Sequence, residues 1–169
     1  MSRRIDHRSS SEHPADAVAA VMLDEEYLRA RLVQLGGPGA ALLEHHADDG
    51  GGGRYRIRQG VDAALLPPVV STLVAGNLVI ERTESLRRLG AGQWGGDVRV
   101  AIPGTPASAA GSLDLRDAGT GSELIITADV RVDVPFLGGR IEGFVAEQVQ
   151  LLLAAETAFT MRWLAGDRA

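Results

Sequence analysis

The sequence predicts an α+β fold: a curved antiparallel sheet of about seven strands wrapped around one long C-terminal helix, with two short helices after the first strand. Three observations carry that prediction. An apolar stripe of helical period occupies the stretch from about 136 to 164. A two-residue alternation runs from Leu124 to Val134, with one face wholly apolar. Between these and the N-terminus the period changes once, from about 3.6 over residues 14–35 to 2 from residue 40 onward.

The long helix comes first because the rest is arranged around it. At about 100° per residue, Ile141, Phe144, Val145, Leu152, Ala155, Phe159 and Trp163 share one face. Glu142, Gln150, Ala154, Thr157 and Met161 fall away from that face. Residues 141–164 would span roughly 36 Å at 1.5 Å per residue. Gly138 and Gly139 punctuate the start, and Gly166 stands just past the end, where a C-terminal glycine is expected. All three phenylalanines and one of the two tryptophans lie between residues 136 and 163, so much of the chain's aromatic material is expected to face one way.

Taken in order, Arg3–Ser10 reads as a first strand with Ile5 as its apolar anchor. Pro14 opens a helix in which Ala15, Val18, Val21 and Met22 recur at helical spacing. Asp24, Glu25 and Glu26 open a second, with acidic residues in the first turn, where the helix dipole favours them. Its apolar face is Tyr27, Leu28, Arg31, Leu32 and Leu35, and Gly36, Gly37, Pro38 and Gly39 stop it. Ala40–Ala47 reads as a strand and Asp48–Gly53 as its turn. In the next strand Arg54, Arg56 and Arg58 alternate with Tyr55, Ile57 and Gln59, and the arginine face is expected to be solvated. Residues 63–75, with Pro67 and Pro68 at the centre, predict a helical turn and a loop. Strands follow at Leu78–Leu86, at Val98–Ile102, around Leu113 and Leu115, and at Leu124–Val134. The glycines at 95 and 96 are expected at a turn or irregularity. A sheet with one apolar face needs a cover, and the last helix is the element long enough to supply it. A curved sheet around a long helix leaves an internal space.

Composition narrows the chemistry. The chain has 169 residues, enough to bury a core as a single domain over 1–169, and no repeat or low-complexity linker divides it. A formal charge of −5 argues against a general nucleic-acid binder. All 17 basic residues are arginine, and there is no cysteine, which removes Schiff-base lysines, thiol nucleophiles, thiolate metal sites and disulfides. Arg3 and Arg4 are followed by Asp6, His7 and serines rather than an apolar export segment, and the apolar stretch 15–23 is too short to span a bilayer. A cytoplasmic location is expected.

The element order, together with the motif Val-Pro-x-x-Gly-Gly-x-Ile-Glu at Val134–Glu142 and the Gly36-Gly37 pair after the second helix, resembles the START-like (SRPBCC, helix-grip) superfamily. That superfamily includes the birch-pollen allergen, polyketide cyclases and lipid-transfer domains. Within it the chain looks like an uncharacterised actinobacterial branch, domain of unknown function 2505. The resemblance covers nearly the whole chain. It implies a helix-grip fold and a central cavity that takes apolar or amphipathic molecules, with no activity attached to the branch itself.

Candidate site residues follow from the stripe. Phe144, Leu152, Phe159 and Trp163 are expected to wall the cavity, with Gln148 and Glu156 as its few polar groups. A second reading puts Gln148 and Glu156 at the stripe's edge with their heads in water. Glu156 lacks a sequence-evident partner for acid–base work. His45 and His46 are adjacent on a strand and point to opposite faces, so no metal is expected, and no cofactor either. No phosphate loop of the G-x-x-x-x-G-K-[ST] form and no G-x-S-x-G elbow is present. Three functions remain: a non-catalytic binder of a hydrophobic small molecule such as a lipid or polyketide-like compound, a cyclase- or hydrolase-type enzyme using Glu156 or a histidine, or an interaction protein with a filled cavity. An open apolar pocket favours the first, and an inward, perturbed Glu156 beside an open pocket favours the second.

Overall fold

The computed structural model describes residues 2–168, so Met1 and Ala169 of the expected 1–169 domain lie outside the described residues. Strand β1 (Arg3–Ser11) is followed by helices α1 (Ala15–Met22) and α2 (Glu25–Leu35), then β2 (Ala41–Ala47) and β3 (Gly53–Val61). A 3-10 turn (Ala63–Leu65) and the single-turn α3 (Pro68–Ser71) lead into β4 (Leu78–Gly90) and β5 (Gln93–Ala101). Strands β6 (Ala107–Ala118) and β7 (Gly121–Val132) precede the long α4 (Gly138–Leu164). The seven strands form one antiparallel sheet in the order β1-β7-β6-β5-β4-β3-β2. From β2 to β7 each strand pairs with its successor, through short turns except between β3 and β4, where residues 62–77 intervene, and β1 alone joins out of order, beside β7. β1 and β2 are therefore opposite edges, and α1 and α2 carry the chain from one edge to the other.

Local chemistry explains the helix ends. The Asp24 carboxylate caps α2 by accepting the Tyr27 N–H at 2.8 Å. α1 buries Ala15, Val18, Ala19 and Met22. α4 approaches β1 and β7 most closely and also packs on α1 and α2. Its buried face is Ile141, Glu142, Ala146, Leu153, Glu156, Phe159, Thr160 and Trp163, rotated from the expected stripe so that Phe144, Val145 and Leu152 are only half-buried.

Several expectations are corrected. Glu142 does not fall away from the sheet. It is buried, and its Oε1 accepts the Val132 N–H at 3.0 Å, beyond the point where β1 pairing ends at Arg3 and Val130. A buried N–H needs an acceptor, and Glu142 supplies it. The three phenylalanines do not face one way: Phe136 is fully exposed, because the backbone turns into α4 through a left-handed residue there, at φ 65°. β4 runs on past Leu86 to Gly90, so Gly95 and Gly96 lie inside β5, not at a turn. A Cβ at Gly96 would stand 1.6 Å from the Ser85 carbonyl oxygen, so the strands approach too closely there for any side chain. β6 begins at Ala107 rather than near Leu113, because its first half is Ala, Ser and Gly and carries no apolar alternation.

The apolar interior has two parts. The larger lies between α1, the middle of α4 and the sheet, and includes Ile5, Val98, Leu113, Ile126 and Leu153. The smaller joins α2, β3 and the end of α4 through Tyr27, Leu28, Leu32, Tyr55, Ile57, Phe159 and Trp163. In it Tyr27 stands 5.7 Å from both Phe159 and Trp163, the latter edge-on at 75°. Among the described residues no helix is long and apolar enough to cross a membrane.

Removing one ring should open this second cluster. Phe159→Ala is expected to destabilise by about 3–5 kcal/mol, the range for emptying a large buried aromatic. Leu151→Ala, at a residue 61% exposed on the same helix, should change stability by less than about 0.5 kcal/mol. Urea unfolding at neutral pH compares them, and similar losses for the two would contradict the packing described.

Candidate functional site

The inward-facing residues of β3 and β4 carry charge where the rest of the sheet carries hydrocarbon. Side chains one apart on a strand alternate faces, so Tyr55, Ile57 and Gln59 share a face with Ile80, Arg82 and Glu84. Across the strands Tyr55 pairs with Glu84, Ile57 with Arg82 and Gln59 with Ile80. Above them α2 contributes Arg31 and α4 contributes Glu156. Arg31, Gln59, Arg82, Glu84 and Glu156 are all buried.

The Glu156 carboxylate is the hub. Its Oε1 accepts from Arg82 Nη2 at 2.7 Å and from Gln59 Nε2 at 3.4 Å, while Oε2 lies 3.8 Å from Arg31 Nη1. Arg82 Nε is 3.1 Å from Glu84 Oε1, and the Tyr55 hydroxyl donates to Glu84 Oε2. The Arg31 guanidinium also sits over the Tyr27 and Tyr55 rings, at 5.5 and 5.9 Å from their centres. Thr160 donates to the Glu156 backbone carbonyl at 2.8 Å and accepts from the Tyr27 hydroxyl at 2.6 Å, which fixes that turn of α4.

Two guanidiniums and two carboxylates cancel formally, which lowers the cost of burying them together. Burial alone would push the Glu156 carboxyl up, but the Arg31 and Arg82 guanidiniums outweigh it and hold the group below its ordinary value. Burial likewise works against the charge on Arg31 and Arg82, and the Glu156 carboxylate overcomes it and holds both above the usual arginine range. The Tyr55 hydroxyl is raised well above its ordinary value by burial and then by Glu84, so it acts as a donor.

Beside this layer the sheet and α4 part. An inner chamber of about 80 Å³ lies between α4 and strands β4 to β7. An outer chamber of about 320 Å³ opens between α4, the end of α2 and the β3–β4 ends. The two share Gln59, Ile80, Ile102, Val145, Val149 and Leu152 as walls, so they adjoin, and together they are termed the channel. Arg82, Glu84 and Gln59 edge the inner chamber, and Val98, Val100, Ala128 and Val130 line much of the rest. A further cavity of about 40 Å³ lies beside Arg31, Ser122 and Thr157 and shares Glu84, Ile126 and Leu153 with the inner chamber.

The Gly36-Gly37 pair shapes the mouth. The Gly60 N–H donates to the Gly36 carbonyl at 2.8 Å, which seats the end of α2 on β3. Gly37 has φ 72°, and a Cβ there would stand 2.0 Å from the Gly60 carbonyl oxygen.

The six residues singled out from sequence divide. Phe144, Gln148 and Leu152 line the outer chamber, with Gln148 exposed at its mouth, and Leu152 also borders the inner one. Glu156 is buried one turn farther on, committed to the two arginines rather than free in the channel. Phe159 and Trp163 sit in the Tyr27 cluster beyond that, because the end of α4 leans on α2. Arg82, Glu84 and Gln59 were not singled out. Their signal was strand parity: Arg82 and Glu84 share a face with Leu78, Ile80 and Leu86, and Gln59 with Tyr55 and Ile57. The histidines stand apart. His45 Nε2 donates to the Leu23 carbonyl at 2.6 Å, His46 faces Asp48 at the surface, and His7 bonds the Thr157 hydroxyl.

Removing the hub charge should leave Arg31 uncompensated. Glu156→Gln is expected to cost about 3–5 kcal/mol at pH 7, the range for breaking a buried pair from one side. Because the folded-state value of Glu156 is depressed, its contribution is complete above the ordinary value of 4.5 and is lost as pH falls below it toward the folded value. Wild-type stability measured by urea unfolding should decline through that acid window, and the variant should lose this part of the decline. A variant as stable as wild type at pH 7 would contradict the arrangement.

Comparisons with known proteins agree with this architecture. The model of the family described as "Protein of unknown function (DUF2505)" matches residues 6–164. Uncharacterised proteins of Mycobacterium bovis and Mycobacterium tuberculosis are 25% identical to the chain, with 99% of each chain covered. A crystal structure of a Thermus thermophilus protein superposes with a TM-score of 0.64 at 12% identity, covering 99% of this chain and 100% of that one. Norcoclaurine synthase from Thalictrum flavum, in a complex with dopamine and hydroxybenzaldehyde, superposes with a TM-score of 0.62 at 11% identity, covering 100% and 90%. At such identities the likeness to these structures is one of fold.

Proposed function

The chain belongs to the DUF2505 family of proteins of unknown function, and from its own geometry we propose that it binds a hydrophobic small molecule, of lipid or polyketide-like character, between the sheet and α4 without transforming it. The carrying observation is the channel: two adjoining chambers with aliphatic walls that open beside the end of α2. Binding sites for small molecules are concave, mostly apolar and furnished with few polar groups. A ligand seated here gains from burying apolar area, at about 25 cal/mol per Å² before ordering costs. The complex of norcoclaurine synthase with dopamine and hydroxybenzaldehyde supports the reading by showing that this fold accommodates small aromatic molecules.

Binding without chemistry is supported by the state of Glu156. A general acid or base needs a proton affinity near the working pH and an open approach to substrate. Glu156 is held on the acidic side by two guanidiniums, and both its oxygens already face protein donors.

Titration with the neutral fluorophore N-phenyl-1-naphthylamine tests the binding reading. The wild type should take up one equivalent with a rise in fluorescence. Leu152→Trp, at a residue that borders both chambers, should weaken uptake by about ten-fold or more while leaving the unfolding midpoint near that of wild type. Absence of uptake by the wild type, or equal uptake by the variant, would refute the reading.

A further inference from the structure

Among the described residues that line the channel, two buried side-chain atoms make no hydrogen bond, Arg82 Nε and Gln59 Oε1, and of these Arg82 Nε still has the Glu84 carboxylate at 3.1 Å. Gln59 is 4% exposed, lines both chambers, and turns its Nε2 toward the Glu156 carboxylate. The carboxylate accepts only, so the amide nitrogen belongs on that side and the oxygen on the other. Gln59 Oε1 is left buried and unbonded. An orphaned acceptor in an apolar wall is unfavourable, and a ligand that supplies a donor removes the deficit.

The neighbouring charges restrict the rest of the ligand. Arg82 contacts both Glu84 and Glu156, and Glu156 also faces Arg31, so the layer is formally neutral without a ligand. A carboxylate entering the channel would add an uncompensated buried charge, and an ammonium would do the same with the opposite sign. The unbonded Nε and Nη2 of Arg31 offer little relief, because Arg31 lines neither channel chamber but the 40 Å³ cavity that adjoins the inner one at Glu84, Ile126 and Leu153. Size adds a constraint. The inner chamber, about 80 Å³, is smaller than the cavity of about 150 Å³ that holds benzene, so the ligand's bulk belongs in the outer chamber.

We infer that the channel selects a neutral, largely apolar molecule bearing a hydroxyl donor, an alcohol or phenol, which gives its hydrogen bond to Gln59 Oε1. The inference rests on the channel being a ligand site, as proposed above, and specifies the chemistry that site accepts.

Displacement of N-phenyl-1-naphthylamine by three ligands of equal chain length separates the possibilities: 1-decanol, decyl methyl ether and decanoate, at pH 8. The alcohol should displace the probe at about ten-fold lower concentration than the ether or the carboxylate. In Gln59→Met the alcohol should lose its lead over the ether, both still binding. Equal displacement by all three in the wild type, or a lead for decanoate, overturns the hydroxyl preference and leaves the binding reading standing. Failure of the wild type to take up the probe or any of the three overturns both. An alcohol lead that survives in Gln59→Met assigns the donor to another acceptor and overturns the role given to Gln59. Should that variant not fold, the ranking in the wild type decides.

Discussion

The Glu156 carboxylate, held between Arg31 and Arg82, is the contact on which the arrangement of α4 depends. It fastens the last helix to α2 on one side and to β4 on the other, with all three side chains buried. Such a pair adds little net stability over hydrocarbon of the same shape, but it tolerates no half measures: each charge needs its partner in position. The helix is pinned again near its start, where Glu142 takes the Val132 N–H, and at its end, where Phe159 and Trp163 meet Tyr27. Between the first pin and Glu156, residues 144–152 stand off the middle strands. The channel is the space this leaves.

The same network gives the channel its character. Without Gln59, Arg82 and Glu84 along its edge, the lining of the inner chamber would be aliphatic except at Ser108. With them it has a polar edge that carries no net formal charge, and whose donors are turned away toward carboxylates. The Gly36-Gly37 pair and the Val134–Glu142 motif, which carried the resemblance at the level of sequence, turn out to hold the two ends of this arrangement. The first seats α2 on β3 at the mouth, and the second joins the end of β7 to the start of α4.

Much of the fold was legible because the periods are clean. The alternation in β7 and the helical spacing of α1 and α2 each report a burial face, while the α4 stripe marks the helix but lies rotated from the face it buries. β6 was legible only in its second half, since Ala107 to Ser112 carry too little hydrocarbon to mark a face. The site was read more thinly. Phe144, Gln148 and Leu152 were found as lining because they follow from helix geometry alone. Arg82 and Glu84 escaped because charge on a strand ordinarily means solvent, and that default outweighed a parity shared with Leu78 and Leu86. The placement of Phe159 and Trp163 depended on where α2 lies in space, a contact more than 130 residues apart in the Tyr27–Thr160 bond, which no local pattern encodes. Glu142 shows the converse: a residue off the apolar stripe was buried to satisfy one strand-end N–H.

The central claim, that the gap between α4 and the middle strands receives the ligand, is tested most directly by methyl-resolved NMR during titration with 1-decanol. The account predicts saturable shifts confined to methyls of the channel wall, Ile80, Ile102, Val149 and Leu152, with Leu28 and Ile57 beneath the second cluster unmoved. Shifts centred on Leu28 and Ile57, or on exposed methyls such as Val33 while the channel methyls stay fixed, would contradict it.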